Sequence, residues 1–147
     1  MLGETCQLRF TAAAACLLLL AIGGCQRSTS PQELLTSLRA QVEADDREYN
    51  RLMNSYGAPK MTPDGSAYTM TRNLREVAVP WDQVKIEETG GRTTTHRVVV
   101  PKIIRTSVKS GNTAEACATA QERELTPQNI EVTYEYNTLQ KAWAAVR

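Results

Sequence analysis

Ser30-Pro31-Gln32-Glu33-Leu34-Leu35-Thr36-Ser37-Leu38-Arg39-Ala40-Gln41-Val42 opens the one long helical pattern of the chain. Serine can cap the free amides, proline suits the first helical position, and glutamate three residues after the serine completes a capping box. Apolar residues then recur at Leu35, Leu38, Val42, Tyr49, Leu52 and Tyr56 in steps of three and four, so the pattern predicts an amphipathic helix to Ser55 or Tyr56. Gly57 is placed to act as its left-handed cap, and Pro59 stops continuation. Asp45 interrupts the stripe beside Asp46 and Glu48, which suits a helix packed on its own domain better than a coiled coil.

After the loop 57–66 the periodicity falls to two. Tyr68 and Met70 alternate with Thr69 and Thr71, and Val77 and Val79 precede Pro80-Trp81. Val84 and Ile86 alternate with charged residues up to the turn signal Glu88-Thr89-Gly90-Gly91-Arg92, which predicts a hairpin with 92–100 as its return strand. Pro101 punctuates, and 103–108 offers another strand. Asn112-Thr113-Ala114-Glu115 reads as a second cap before an alanine-rich helix to about Leu125. Ile130, Val132, Tyr134 and Tyr136 alternate with Glu131, Thr133 and Glu135, the clearest strand in the chain. The segment 138–147 fits a helical stripe or a last strand containing Trp143. The strand is preferred, because it would cover the edge of 130–136.

These elements add up to an α+β domain, with one long helix on a curved antiparallel sheet of about five or six strands. The architecture is similar to that of cystatins and of nuclear transport factor 2-like domains, an analogy of shape that licenses no function.

Upstream of this domain lies Phe10–Ile22, continuously apolar or small behind Arg9, too short for a membrane-spanning helix and fitting a secretory signal. It ends in Ile22-Gly23-Gly24-Cys25, followed by the polar Gln26-Arg27-Ser28-Thr29-Ser30. This resembles the lipobox of bacterial lipoproteins: a branched apolar residue, two small residues, and the cysteine that is lipidated. The resemblance covers the first 25 residues and matches all four lipobox positions. It implies a signal peptide of 1–24, a lipidated Cys25 with a tether to residue 30, and a domain of 31–147. Ile22, Gly23 and Gly24 would be the signal-peptidase recognition residues. Several acyl chains on one cysteine make a lasting anchor where a single chain does not. Gln26, in place of an aspartate, implies the periplasmic face of an outer membrane if the host has one. An uncleaved anchor, or an ordinary signal beside a coincidental cysteine, is the alternative.

The formal net charge is +1, and loss of Arg9 and Glu4 with the signal leaves it there. Nucleic acid is therefore not an expected partner. Between residues 66 and 111, eight basic residues face four acidic ones, while 112–136 holds one basic residue against five acidic. Complementary neighbouring strands are the simplest reading, and a basic face toward anionic lipid or glycan is the alternative.

Of the four cysteines, Cys6 and Cys16 leave with the signal and Cys25 takes lipid, so Cys117 remains unpaired. With the single histidine, His96, it makes neither a usual zinc site nor a locally supported nucleophilic pair. Asp45, Asp46 and Glu48 read as a solvated helix face. Gly90-Gly91 lacks a phosphate-binding helix behind it. No catalytic residue, metal or cofactor is expected. Trp81, Tyr134 and Trp143 are the candidate contact residues, since half-wet aromatic rings suit binding surfaces.

The expectation is thus a non-enzymatic, membrane-anchored envelope lipoprotein that binds or helps assemble another envelope protein. The alternatives are a periplasmic module for lipid or glycan, and an immunity or inhibitor lipoprotein.

Overall fold

A computed structural model describes residues 29–146. Helix α1, Pro31–Met53, lies against one face of an antiparallel sheet that curls into a half-barrel. Seven strands contribute: β1 Lys60–Met61, β2 Tyr68–Val77, β3 Glu87–Glu88, β4 Thr94–Gly111, β5 Arg123–Glu124, β6 Gln128–Asn137 and β7 Ala142–Ala145. The main path runs β1-β2-β4-β6-β7, with β3 and β5 also paired to β4. A one-turn 3-10 helix, Trp81–Gln83, and a short helix α2, Ala114–Thr119, complete the elements.

The 18-residue strand β4 is the spine. One edge of it pairs with β3 at His96 and Arg97 and with β2 from Lys102 to Gly111; the other pairs with β6 from Thr94 to Ile104 and with β5 at Ser107 and Val108. Pro101 lies inside this strand and does not end it. The Pro101 carbonyl accepts from Ala78 N, so its backbone faces the edge where β2 has just finished at Val77↔Lys102. The missing proline N–H therefore costs no ladder bond.

Register places Val98, Val100 and Lys102 of β4, Val132, Tyr134 and Tyr136 of β6, and Trp143 of β7 on one face. Against it α1 lays Leu34, Leu38 and Val42, all buried. Each such side chain contributes about 1.5–3 kcal/mol when fully buried. The helix approaches β2 and β7 most closely, so the sheet wraps around it. Leu35, Val77, Trp81, Val84, Ile86 and Val132 pack around this core, half-buried.

Several local expectations are corrected. The buried stripe steps strictly by four, through Leu34, Leu38, Val42 and Asp46, and Leu52 is 59 % exposed. The helix stops at Met53, and among the described residues the left-handed glycines are Gly65 and Gly90, not Gly57. Val84 and Ile86 sit in extended chain that drops onto the core, leaving only Glu87 and Glu88 to pair as β3. The alanine-rich helix is one short element capped by Thr113, whose hydroxyl accepts from Ala116 N at 3.1 Å, and Arg123–Glu124 has become strand. The segment 142–145 is the strand that covers the β6 edge.

The outer face bears the charge complementarity read from the sequence. Arg97 meets Glu135 at 2.6 Å, Arg72 meets Glu122 at 2.7 Å, and Arg105 lies between Glu76 at 2.8 Å and Glu124 at 3.6 Å. These pairs are exposed, and exposed pairs stabilise by at most about 1 kcal/mol each.

Candidate functional site

The chemically richest place in the domain lies under the second half of α1. Asp46 extends the buried stripe of the helix by one more step of four, and Lys102 extends the inward alternation Val98-Val100-Lys102 of β4. The two meet with Lys102 Nζ 2.6 Å from Asp46 Oδ1, and Lys102 is fully buried. Arg75 on β2 donates from Nε to the same oxygen at 2.7 Å and from Nη2 to the Asp45 carbonyl at 3.0 Å. The Lys102 amine also donates to the Tyr134 hydroxyl at 3.0 Å, and the Arg75 guanidinium lies 4.2 Å from the centre of the Tyr49 ring.

Both cations of this junction share the Asp46 Oδ1 atom. Burial pushes the Lys102 amine below its ordinary range, with the Asp46 carboxylate working against that shift. Burial and then the charge of Asp45 push the Tyr134 phenol well above its ordinary range, so it stays protonated as acceptor from the lysine. Two carboxylates, one lysine and one arginine balance in charge. Lysine, tyrosine and carboxylate are the parts of a proton-transfer site. Here the lysine and the tyrosine are sealed from solvent, while Asp46 and Arg75 keep a slight exposure at the rim. The arrangement fixes where α1 sits on the sheet.

Asp46 as the centre of a buried network overturns the reading of Asp45, Asp46 and Glu48 as one solvated face. The signals for it were a carboxylate in phase with Leu34, Leu38 and Val42, and a lysine in phase with Val98 and Val100. The second was hidden by taking Pro101 as a break.

The aromatic candidates go mostly to the interior. Tyr134 and Trp143 are 0 % and 3 % exposed, so neither presents its ring to a partner. Trp143 donates from Nε1 to the Leu34 carbonyl and to Ser37 Oγ, both at 3.2 Å, locking β7 to the first turns of α1. Its ring packs on Tyr136, which in turn meets His96 edge-on at 6.1 Å. Trp81 is half-buried beside the core, with the Arg39 guanidinium 5.8 Å from its ring centre.

His96 and Cys117 are not brought together. His96 stands near the start of β4, while Cys117, fully buried, rests its sulfur 3.5 Å from the carbonyl of Lys109 near the other end. The lipobox residues Ile22, Gly23, Gly24 and Cys25 lie outside the described residues.

A hollow of about 510 Å³ is lined by Ala78, Pro101, Lys102, Asn129, Ile130 and Glu131. With the Lys102 amine turned to Asp46, Glu131 is its one side chain able to exchange a proton with a ligand. Among the described residues no group of three or more histidine, cysteine or carboxylate side chains could hold a metal. Among them, too, no helix is long and apolar enough to cross a membrane. Comparison of the chain with family models, with curated proteins and with solved structures finds no match.

Proposed function

We propose that this protein is a bacterial envelope lipoprotein, held at a membrane by lipid on Cys25, whose domain is a non-enzymatic partner in the binding or assembly of another envelope protein. The observation that carries the reading is Ile22-Gly23-Gly24-Cys25 behind a short apolar run and before a polar tether. In a host with two membranes, Gln26 after the lipidated cysteine favours the periplasmic face of the outer one. Five residues separate Cys25 from Pro31, so the domain stands within roughly 20 Å of its anchor at full extension. Partners at or in that membrane are therefore the accessible ones.

The burial of Lys102 and Tyr134 favours a structural role for this junction over a catalytic one. A lipid or glycan module using the inner face of the sheet has less support, because Leu38, Val42, Val98, Val100 and Tyr134 already fill that face.

The test is in two parts. Wild-type protein is expected to incorporate labelled palmitate and to fractionate with membranes, and Cys25→Ser to lose both. Normal processing and membrane retention of the serine variant would show the assignment of Cys25 to be wrong. Crosslinking in cells followed by purification of the lipidated form is expected to recover a stoichiometric envelope protein.

A further inference from the structure

Two turns project from the same end of the sheet. One is the 89–93 turn between β3 and β4, and the other is the 138–141 turn between β6 and β7. They are tied together, since Thr138 donates to the Thr93 carbonyl from N at 2.9 Å and from Oγ1 at 3.1 Å. At the second turn, the Asn137 carboxamide oxygen accepts from Leu139 N at 2.9 Å and Gln140 N at 3.1 Å, and Lys141 takes a left-handed φ of 50°. This rigid loop presents Leu139 at 79 % exposure, the most exposed large apolar residue among those described. Arg92 and Lys141, both exposed, are the cations of the two turns. The nearest carboxylates on these hairpins, Glu87 and Glu88, stand behind the turn on β3.

The start of α1 lies at this same end. Leu34 and Ser37 sit over Trp143, one residue into β7 from the 138–141 turn. The far end of the helix reaches β2, where Asn50 meets Arg75 opposite Ile104, eight positions along β4 from His96. Traced backwards, the helix axis therefore runs toward the turns, and Pro31 is the residue to which the short tether connects.

We propose that this end of the domain rests on an anionic phospholipid surface, with Leu139 between the headgroups and Arg92 and Lys141 on their phosphates. The inference rests on the lipid anchor at Cys25, because only a five-residue tether arriving at this end holds the turns against the bilayer. An exposed apolar residue at the end of the sheet that also carries Arg92 and Lys141 suits that interface, the cations engaging headgroups while the side chain enters the acyl boundary.

The experiment uses the full lipidated protein in vesicles of phosphatidylethanolamine and phosphatidylglycerol. An environment-sensitive fluorophore is attached at Leu139→Cys, or for comparison at Met61→Cys. Met61 is 57 % exposed on β1, beside the end of β2 that pairs with Gly111 at the opposite end of β4. Native Cys117 is fully buried and does not compete for label. Flotation with the vesicles reads the anchor, and quenching by spin-labelled lipid reads the turn. The expected result is flotation of both proteins with quenching several-fold stronger at position 139 than at 61, reduced when phosphatidylcholine replaces the anionic lipid. Flotation with equal, weak quenching at the two positions overturns the contact while leaving the anchor standing. Failure to float overturns both.

Discussion

Asp46 accepts from two cations through one oxygen, Lys102 at 2.6 Å and Arg75 at 2.7 Å, and this makes the two sides of the buried pair unequal. Replacing the aspartate by asparagine leaves the buried ammonium without the carboxylate that neutralises it. Replacing the lysine leaves Asp46 still neutralised by Arg75. Asp46→Asn is therefore expected to lose about 3–5 kcal/mol, the cost of an uncompensated buried charge, whereas Lys102→Met should lie within about 1 kcal/mol of wild type or above it. Urea unfolding of the two variants checks this, and equal losses would mean that Arg75 does not hold the carboxylate. The position was only half legible in the sequence. Its phase on the helix was visible, but an acidic residue in that phase reads as an interruption until its counter-charge is located. That counter-charge lies 56 residues away on a strand whose continuity local reading denied.

Among the elements, β2 shows how an outer strand is closed where its short neighbour β1 ends. Near one end it pairs with β1, at Tyr68 and Thr69. Further along, the Asn50 carboxamide donates to the Arg75 carbonyl at 2.9 Å and accepts from Arg75 N at 2.7 Å, imitating a ladder residue from the side of a helix. An unpaired backbone row would otherwise template association with other chains. Asn50→Ala should cost about 1–3 kcal/mol. Hydrogen exchange should then show the Arg75 amide losing protection more than its neighbours on β2, while uniform loss would point to global destabilisation instead. Local signals located the long helix, the alternation of β6 and the strand nature of 142–145. They placed the hairpin around Gly90-Gly91 and a helix after Asn112, but overran the lengths of β3 and α2 and missed β5. Two-residue strands leave no periodicity to read, and their pairing depends on β4 being present alongside. At α2 a close approach matters as well. A Cβ on Gly111 would lie 2.5 Å from Cys117 N, so glycine there lets α2 fold back on β4.

At the scale of the molecule, α1 and the sheet share one apolar core, and Trp143 is its clasp. It is 3 % exposed and joins the final strand to the first turns of the helix by packing and two hydrogen bonds. Trp143→Ala is expected to cost about 3–5 kcal/mol, a large part of the 5–15 kcal/mol that holds a domain of this kind together. Thermal unfolding should show a Tm drop of many degrees or loss of the cooperative transition, and a drop of one or two degrees would place the core elsewhere. The α+β class was readable because the change from helical to alternating periodicity is a property of whole segments. The curvature of the sheet was expected with it, but not its frame, one 18-residue strand shared by four others.

The clasp also orders events in time. Leu34 and Trp143 are 109 residues apart, so a chain made from its N-terminal side exposes the apolar stripe of α1 long before the strand that seals it exists. Contacts of such separation form slowly, because the loop must close before anything rewards it. The domain thus cannot finish its fold before Trp143 has been synthesised. Under the proposed export as an unfolded thread that delay is an advantage, because the strand that locks the domain follows all its other strands across.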